Sequence, residues 1–536
     1  MNRVVCFLIL LCFSSCLQAQ DQFMVFFKDK SNTSFSIQRP TEFLSPKSIS
    51  RRIRQNIPTT EEDLPVNRIY VRAVADLGVE TYFTTKWMNG VLVQMDPSSV
   101  GNVLALPFVD RVEYVAPNAI LSEAPGTAEQ NNESPIEPSR IDELQYAMLG
   151  IDQMHMEGFM GKGVLVAIFD EGFNNYTSIP AFEHILDENR LIHTFDYTKN
   201  REDVENIYDH GLRVFSILGA DDEMIGAVPK SSYILAVTEA GVGEYRVEEY
   251  NWLFAAEMAD SAGVDIINTS LGYSEFLDAS MNYTQSDMDG QTTVITRAAN
   301  IAASKGMLLV NSSGNAGASA WGTITAPSDS EAVLTVGAIN ASEQLASFSG
   351  TGPTADNRIK PDVVARGVNT QVTNAQNIVS FQNGTSFSAP LITGLAAGLL
   401  QAFPDLSSQD IIEAIKQSGN KKDNPDSDFG YGIPHFVRAA KVADESLIPI
   451  SDGIVAYPNP TDLSYFTLTF SEELLGERIK AQLLNGDGSL VQNYEFTPSL
   501  FDNRLEVDLT KAKSGLLLIR LVTGDKVLTK KIMKTR

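Results

Sequence analysis

Hydrophobic positions change their period twice along the 536-residue chain. Between residues 21 and about 120, strand-like and helix-like pieces are interleaved. Residues 23–27 and 91–95 predict strands, 100–106 a short helix after Pro97, and 109–115 a closing strand. From about 141 to 445, short apolar runs (164–169, 233–237, 264–268, 307–310, 333–339) alternate with helical patterns such as 247–262 and 292–305. That alternation predicts a parallel sheet with helices on both faces. A further helix starts near Ser407, where Asp410 three residues on makes an approximate capping box. After about 450 the helical period disappears. Alternating runs (466–470, 479–484, 505–509, 516–521, 527–532) are broken by Asn485-Gly486-Asp487-Gly488 and Gly524-Asp525, which predicts a small all-β sandwich.

The two regions without such a period have other signatures. Arg3 precedes an apolar run over 4–13, followed by small and polar residues, as in a secretory signal peptide (1–19) cut after Ala19. All three cysteines, Cys6, Cys12 and Cys16, lie in it, so the processed chain has no disulfide, thiolate nucleophile or cysteine-bound zinc. Phe13 ahead of Ser14-Ser15-Cys16 argues against lipidation of Cys16. Residues 122–140 are rich in Glu, Pro, Asn and Ser and read as an exposed, cleavable linker. The longest later apolar run, 389–403, is too short to span a membrane and predicts a core helix. With 41 basic and 67 acidic residues the chain carries −26, which repels nucleic acid and anionic membranes. The one basic run, Arg51, Arg52 and Arg54, reads as a solvated helix face.

In an open parallel sheet, reactive groups gather beyond the carboxyl ends of strands. Asp170 terminates the run 164–169; alone it is either a turn cap or the orienting carboxylate of a catalytic set. Of the five histidines, His210 stands out, because it directly precedes a dense apolar helix and Gly211 beside it permits close approach of another chain. Ser386, in Asn383-Gly384-Thr385-Ser386-Phe387-Ser388-Ala389-Pro390, opens a buried helix whose free amides and dipole can stabilise a developing oxyanion. It can also simply cap that helix.

Together these segments resemble subtilisin-like serine proteases (subtilases, peptidase family S8). Asp170, His210 and Ser386 occur in that family's chain order. The run from Val264 to Gly272 resembles the substrate-lining strand, Ser313-Gly314-Asn315-Ala316-Gly317 the loop carrying the oxyanion asparagine, and Ala326-Pro327 through Ala338 the run before Ser347-Phe348-Ser349. Two positions depart: Glu171 replaces the usual Ser or Thr, and His210-Gly211-Leu212-Arg213 the usual His-Gly-Thr-His. The resemblance implies an α/β fold with a subtilisin-like sheet at 141–445. It further implies a triad of Asp170, His210 and Ser386, an oxyanion donor at Asn315, and substrate contacts from Ser270, Leu271, Gly272, Ser312, Ser313 and Gly314. No cofactor is expected for the chemistry. Structural calcium is common in the family, but no loop here shows an assignable ligand pattern.

The flanks carry resemblances too. Residues 20–121 resemble the inhibitory propeptide of subtilases, a small α/β unit. Residues 456–536 resemble the sorting domain of type IX secretion, from Tyr457-Pro458-Asn459-Pro460 to a tail from Lys511 to Arg536 with eight basic residues and one acidic. Leu517 stands where an aromatic is commoner. The expected protein is a monomeric, secreted or cell-surface endopeptidase, exported by Sec to the periplasm and then by the type IX machinery. Its partners would be protein or peptide substrates and its own propeptide, with no nucleic acid. The alternative is a catalytically silent subtilase scaffold that binds at the cell surface. A lipase or esterase is disfavoured, since Phe387-Ser388 follow the serine where Gly-x-Ser-x-Gly is expected.

Overall fold

Four antiparallel strands open the fold: β1 (Asp21–Phe27), β2 (Glu80–Thr85), β3 (Gly90–Met95) and β4 (Val109–Ala116), in the order β2-β3-β1-β4. They are interleaved with helices α1 (Pro46–Arg54), α2 (Arg68–Ala75) and α3 (Val100–Leu104). This computed structural model describes residues 20–117, 144–241, 243–447 and, with short interruptions, 454–535. The expected signal peptide with its cysteines, the linker 122–140 and residues 458–460 lie outside the described residues. Side chains in β1 alternate between two cores. Phe23, Val25 and Phe27 pack with Val74, Val91 and Val103 of the same segment. Met24 and Phe26 join Tyr250 and Phe254 from the next part of the chain. Burial on both faces explains why β1 reads as a continuous apolar run.

A seven-stranded sheet follows: β5 (Leu165–Asp170), β6 (Leu191–Asp196), β7 (Ser232–Val237), β8 (Ile266–Thr269), β9 (Leu308–Ser312), β10 (Val333–Ile339) and β11 (Val363–Arg366). All its pairings are parallel, in the order β11-β10-β9-β8-β5-β7-β6. The chain leaves β5 toward one edge and resumes at β8 on the other side, so a crevice opens at the carboxyl ends of β5 and β8. Short helices α4 (Leu144–Ala147), α5 (Ile151–Met156) and α6 (Glu183–Asp187) precede the main ones, α7 (His210–Gly219), α8 (Val247–Ala262) and α9 (Val294–Ser304). A hairpin, β12 (Thr370–Thr373) and β13 (Val379–Gln382), leads into α10 (Thr385–Ala402), which packs on β8 to β11 and on α7. Helices α11 (Ser408–Gln417) and α12 (Phe436–Leu447) close this region. At α11 the Ser407–Asp410 capping box is formed, with Ser407 Oγ accepting the Asp410 N–H at 3.1 Å.

The basic run at Arg51 departs from expectation. Arg51 and Arg52 are buried and only Arg54 is exposed, so α1 is no solvated face. Arg51 reaches Asp260 of α8 at 2.6 Å; Arg52 reaches Asp260 at 2.7 Å and Asp63 at 3.0 Å. Nearby, Glu257 of α8 accepts the N–H groups of Lys86 and Trp87 at 2.8 and 3.0 Å, and Lys305 pairs with Asp63 at 3.4 Å. The N-terminal sheet and α1 are therefore docked on α8 and α9 within one compact unit that reaches to Ala443.

In the second unit, from Asp444 onward, the named strands pair antiparallel. One sheet has β14 (Ile454–Tyr457), β15 (Tyr465–Phe470) and β18 (Arg504–Asp508). The other has β16 (Ile479–Asn485), β17 (Leu490–Phe496), β19 (Gly515–Thr523) and β20 (Lys526–Lys534). Phe466, Leu468, Val507, Leu483, Leu517 and Ile519 from the two sheets share one core. Among the described residues no helix is long and apolar enough to cross a membrane.

Candidate active site

Three adjacent strands deliver the candidate residues. Asp170 is the last residue of β5; Ser270 to Gly272 follow β8; Ser312 ends β9 and Ser313 to Asn315 follow it. The parallel register aligns these ends, with Phe169 opposite Thr269 and Thr269 opposite Asn311. Asp170 is fully buried, and its Oδ1 accepts the Glu171 N–H at 2.9 Å and meets His210 Nδ1 at 2.7 Å. Gly211 makes that approach possible. A Cβ there would lie 2.6 Å from the Gly172 carbonyl and 2.8 Å from Asp170 Cβ, so α7 docks only because position 211 has no side chain. Burial alone would lower the His210 pKa. The Asp170 carboxylate and its hydrogen bond outweigh burial, with help from Glu171 and Asp209, and raise it to about 9. Arg213, the second departure from the family pattern, pairs with Asp209 one turn back at 2.9 Å.

Ser386 occupies the first turn of α10 and is almost fully buried. Its position follows from Pro390. A proline four residues on has no N–H for the Ser386 carbonyl, and the Ser270 hydroxyl takes that place, donating at 2.9 Å. The Ser386 hydroxyl in turn donates to the Ser270 carbonyl at 3.2 Å. Asn268 supports the pair from below, reaching Ser270 Oγ at 3.4 Å and accepting Thr393 Oγ1 of α10 at 2.8 Å. The next residue, Phe387, packs its ring 5.5 Å from the His210 ring, which brings the start of α10 against the Asp170–His210 pair.

Asn315 is clamped by its oxygen. Oδ1 accepts both the N–H and the hydroxyl of Thr385 at 2.9 Å, so Nδ2 is directed toward Gly384, just before the serine. Gly272 and Gly314 face each other across Thr325, and a Cβ on either would come within 2.0 and 2.7 Å of Thr325 Oγ1. Leu271 and Ser312 hold the floor, both carbonyls accepting Asn311 Nδ2, at 3.1 and 2.7 Å. Ser313 bridges to β10 through its N–H and the Val336 carbonyl at 2.9 Å. Sequence reading singled out neither Thr385 nor Thr325, which act through contacts distant in sequence. Thr385 lies inside the quoted serine segment and Thr325 directly precedes Ala326-Pro327, and that proximity is the available signal. Among the described residues no three His, Asp or Glu side chains are placed to hold a metal ion.

Three stretches of the chain match known protein families. The subtilase family model matches residues 161–432, half of the chain. The peptidase S8 propeptide domain of Bacteroidota matches 22–133, and the secretion system C-terminal sorting domain matches 455–535. Similar curated proteins include the thermophilic serine proteinase of Bacillus sp. (strain AK1), 29% identical over 51% of this chain and 60% of that one. Serine protease AprX of Bacillus subtilis is 28% identical over 51% of this chain and 65% of its own length. Subtilisin DY of Bacillus licheniformis is 25% identical over 53% of this chain and 93% of its own. The match thus spans less than two thirds of the first two. Among solved structures, the epidermin leader peptide processing serine protease of Staphylococcus aureus superposes with a TM-score of 0.55 at 15% identity. It covers 79% of this chain and 100% of its own, a likeness of fold.

Proposed function

Because the chain belongs to the subtilase family, we propose that it is a secreted serine endopeptidase that cleaves peptide bonds through an acyl-enzyme. The observation that carries the reading is the 2.7 Å bond between Asp170 and His210 beside the first turn of α10. His210 would accept the proton of Ser386 as Oγ attacks the substrate carbonyl, after the hydroxyl turns from the Ser270 carbonyl. It would then donate that proton to the leaving amine, and water would release the acyl group by the same route. Asp170 holds the ring through Nδ1 and stabilises the imidazolium. Asn315 Nδ2 and the Ser386 N–H would meet the oxyanion. Ser270 to Gly272 and Ser312 to Gly314 would border the pocket for the residue before the cut bond.

The flanks fit the same life history. Residues 20–121, whose sheet and α1 are docked on α8 and α9, would act as intramolecular inhibitor until removed, and the C-terminal unit would address the protein to the type IX machinery. Labelling the processed protein with a fluorophosphonate probe tests the reading. Covalent modification at Ser386, absent in Ser386→Ala, is expected. An unreactive Ser386 in folded, processed protein would identify a silent scaffold.

A further inference from the structure

The pocket assigned to the residue before the cut bond has two walls without side chains and a third side that carries one. Gly272 and Gly314 lie on the chains that leave β8 and β9, and the Thr325 side chain sits in the gap between them. A Cβ on Gly272 would lie 2.0 Å from Thr325 Oγ1 and 3.0 Å from Thr325 Cβ. One on Gly314 would lie 2.7 Å from Oγ1 and 3.3 Å from Cγ2. Every heavy atom of that side chain therefore faces a glycine, and Thr325 itself is 6% exposed. With glycine at 325 as well, the gap would be deeper by those three atoms.

Backbone bonds fix this floor against both walls. The Thr325 N–H reaches the Ser313 carbonyl at 3.4 Å, while Tyr273 and Ala326 exchange N–H bonds at 2.9 and 3.1 Å. The Ser328 N–H closes a turn onto the Thr325 carbonyl at 2.9 Å, and Ser328 Oγ donates to the Ser312 carbonyl at 2.6 Å. Upstream, Trp321 Nε1 donates to the carbonyl of wholly buried Ile324 at 2.8 Å. Residue 325 is thus held in place when a larger side chain presses on it. Its own hydroxyl, by contrast, makes no hydrogen bond among the described residues, although buried polar groups are ordinarily matched. The side chain fills space without tying the fold together.

We propose that Thr325 limits the residue before the cut bond to a small side chain: glycine, alanine or serine. The proposal rests on the protease reading, in which Gly272 and Gly314 border that pocket. A larger side chain would meet Thr325 and hold the scissile carbonyl away from Ser386 Oγ, which lowers kcat/KM. The test uses processed protein recovered from the culture medium and peptides that differ only by Ala, Leu or Phe before the cut bond. Wild type should favour Ala over Leu and over Phe by about tenfold or more, since even one methylene of misfit is worth that much. Thr325→Gly should bring both ratios to within about threefold or reverse them, and Thr325→Ala should shift the Leu ratio in the same direction. Thr325→Val keeps the shape without the hydroxyl and should keep the wild-type ratios. Wild type that cleaves the Leu or Phe peptide as well as the Ala peptide overturns the proposal. So does an Ala preference that survives Thr325→Gly and Thr325→Ala, or one that Thr325→Val abolishes. Fluorophosphonate labelling of each protein separates the failures. Labelled wild type without an Ala preference loses only the role of Thr325, and unlabelled wild type loses the protease reading with it. A variant that takes no label is misfolded, and the wild-type ratios with the remaining variants then decide by the same criteria.

Discussion

Asn315 shows how little freedom an amide keeps once its oxygen is engaged. Two donors from Thr385 hold Oδ1, so only Nδ2 can serve a substrate, and it can do so best once negative charge has developed there. Asn315→Ala should lower kcat by about 10²–10³, the loss known for the oxyanion asparagine of subtilisin, from which the figure is borrowed, with little change in KM. It also strips Thr385 of an acceptor, so a stability loss of about 1 kcal/mol should accompany it. Steady-state kinetics beside a thermal melt separate the two effects, and a kcat within threefold of wild type removes Asn315 from the site. His210 carries a second prediction. Catalysis needs the neutral ring, whose pKa is raised to about 9, so kcat/KM should climb as pH approaches 9. The stabilisation from the charged pair runs the other way: complete below about 6.5, it is lost as pH rises through about 9. Glu171 contributes to the rise, so Glu171→Gln should move the kinetic limb to lower pH by a fraction of a unit, as pH–rate profiles of the two enzymes would show. An unmoved limb would mean that water screens Glu171 from the ring. Asp170, His210 and Ser386 were legible because each sits in a short local pattern. Thr325 was not, since its meaning lies in the close approach of Gly272 and Gly314 to its hydroxyl.

Elements were legible where burial is continuous. Helix α8 and strand β10 have the bounds that the apolar pattern predicts, 247–262 and 333–339, because their length and packing leave no ambiguity. Strands β6 and β17 escaped, being edge strands with half-exposed, mixed faces, and four-residue β11 is too short to show a period. Arg51 and Arg52 misled for a different reason: a basic run looks solvated until a buried acid from elsewhere claims it. That acid, Asp260, has both oxygens occupied by arginines, with Lys86 at 3.3 Å. Breaking a buried pair by removing one member typically costs about 3–5 kcal/mol, because the other charge stays buried and alone. Asp260→Asn should therefore weaken inhibition by a separately supplied segment 20–121 by about 100-fold or more. Peptide turnover by the enzyme without that segment should stay near wild type, since Asp260 lies in the last turn of α8, away from its active-site end. Titrating enzyme with the segment yields the inhibition constants, and equal values for the two enzymes would show that the apolar face of β1 and β3 alone holds the docking.

Over the whole molecule, packing divides at Ala443, whereas the charge changes sign only at Lys511, inside the second unit. The chain carries −26, yet its last 26 residues, from Lys511, hold eight basic residues and one acidic. Those residues form β19 and β20, where Leu517, Ile519, Leu521 and Ile532 point into the second unit's own core while Lys530 and Lys531 lie along the edge strand. Lysines on an edge strand discourage pairing with other chains, so the basic character has a structural use as well as the proposed role in sorting. The core of the second unit draws on Ile454 and residues after it. The compact first unit ends at Ala443, just before the close of α12. Truncation after Ile450 therefore removes no buried side chain from the first unit. Refolded with its own N-terminal segment, the truncated protein should melt within a few degrees of the full chain's first unit and cleave the same peptides at similar kcat/KM. In a cell with a working type IX system it should nonetheless remain in the periplasm, while the full chain reaches the medium. Fractionation and immunoblotting of both forms, with the fluorophosphonate label as a measure of folded enzyme, decide the matter. Efficient release of the truncated form would mean that the β-sandwich serves another purpose, such as binding substrate. Loss of its activity would mean that the two units depend on each other for folding, contrary to the separate cores seen in the structure.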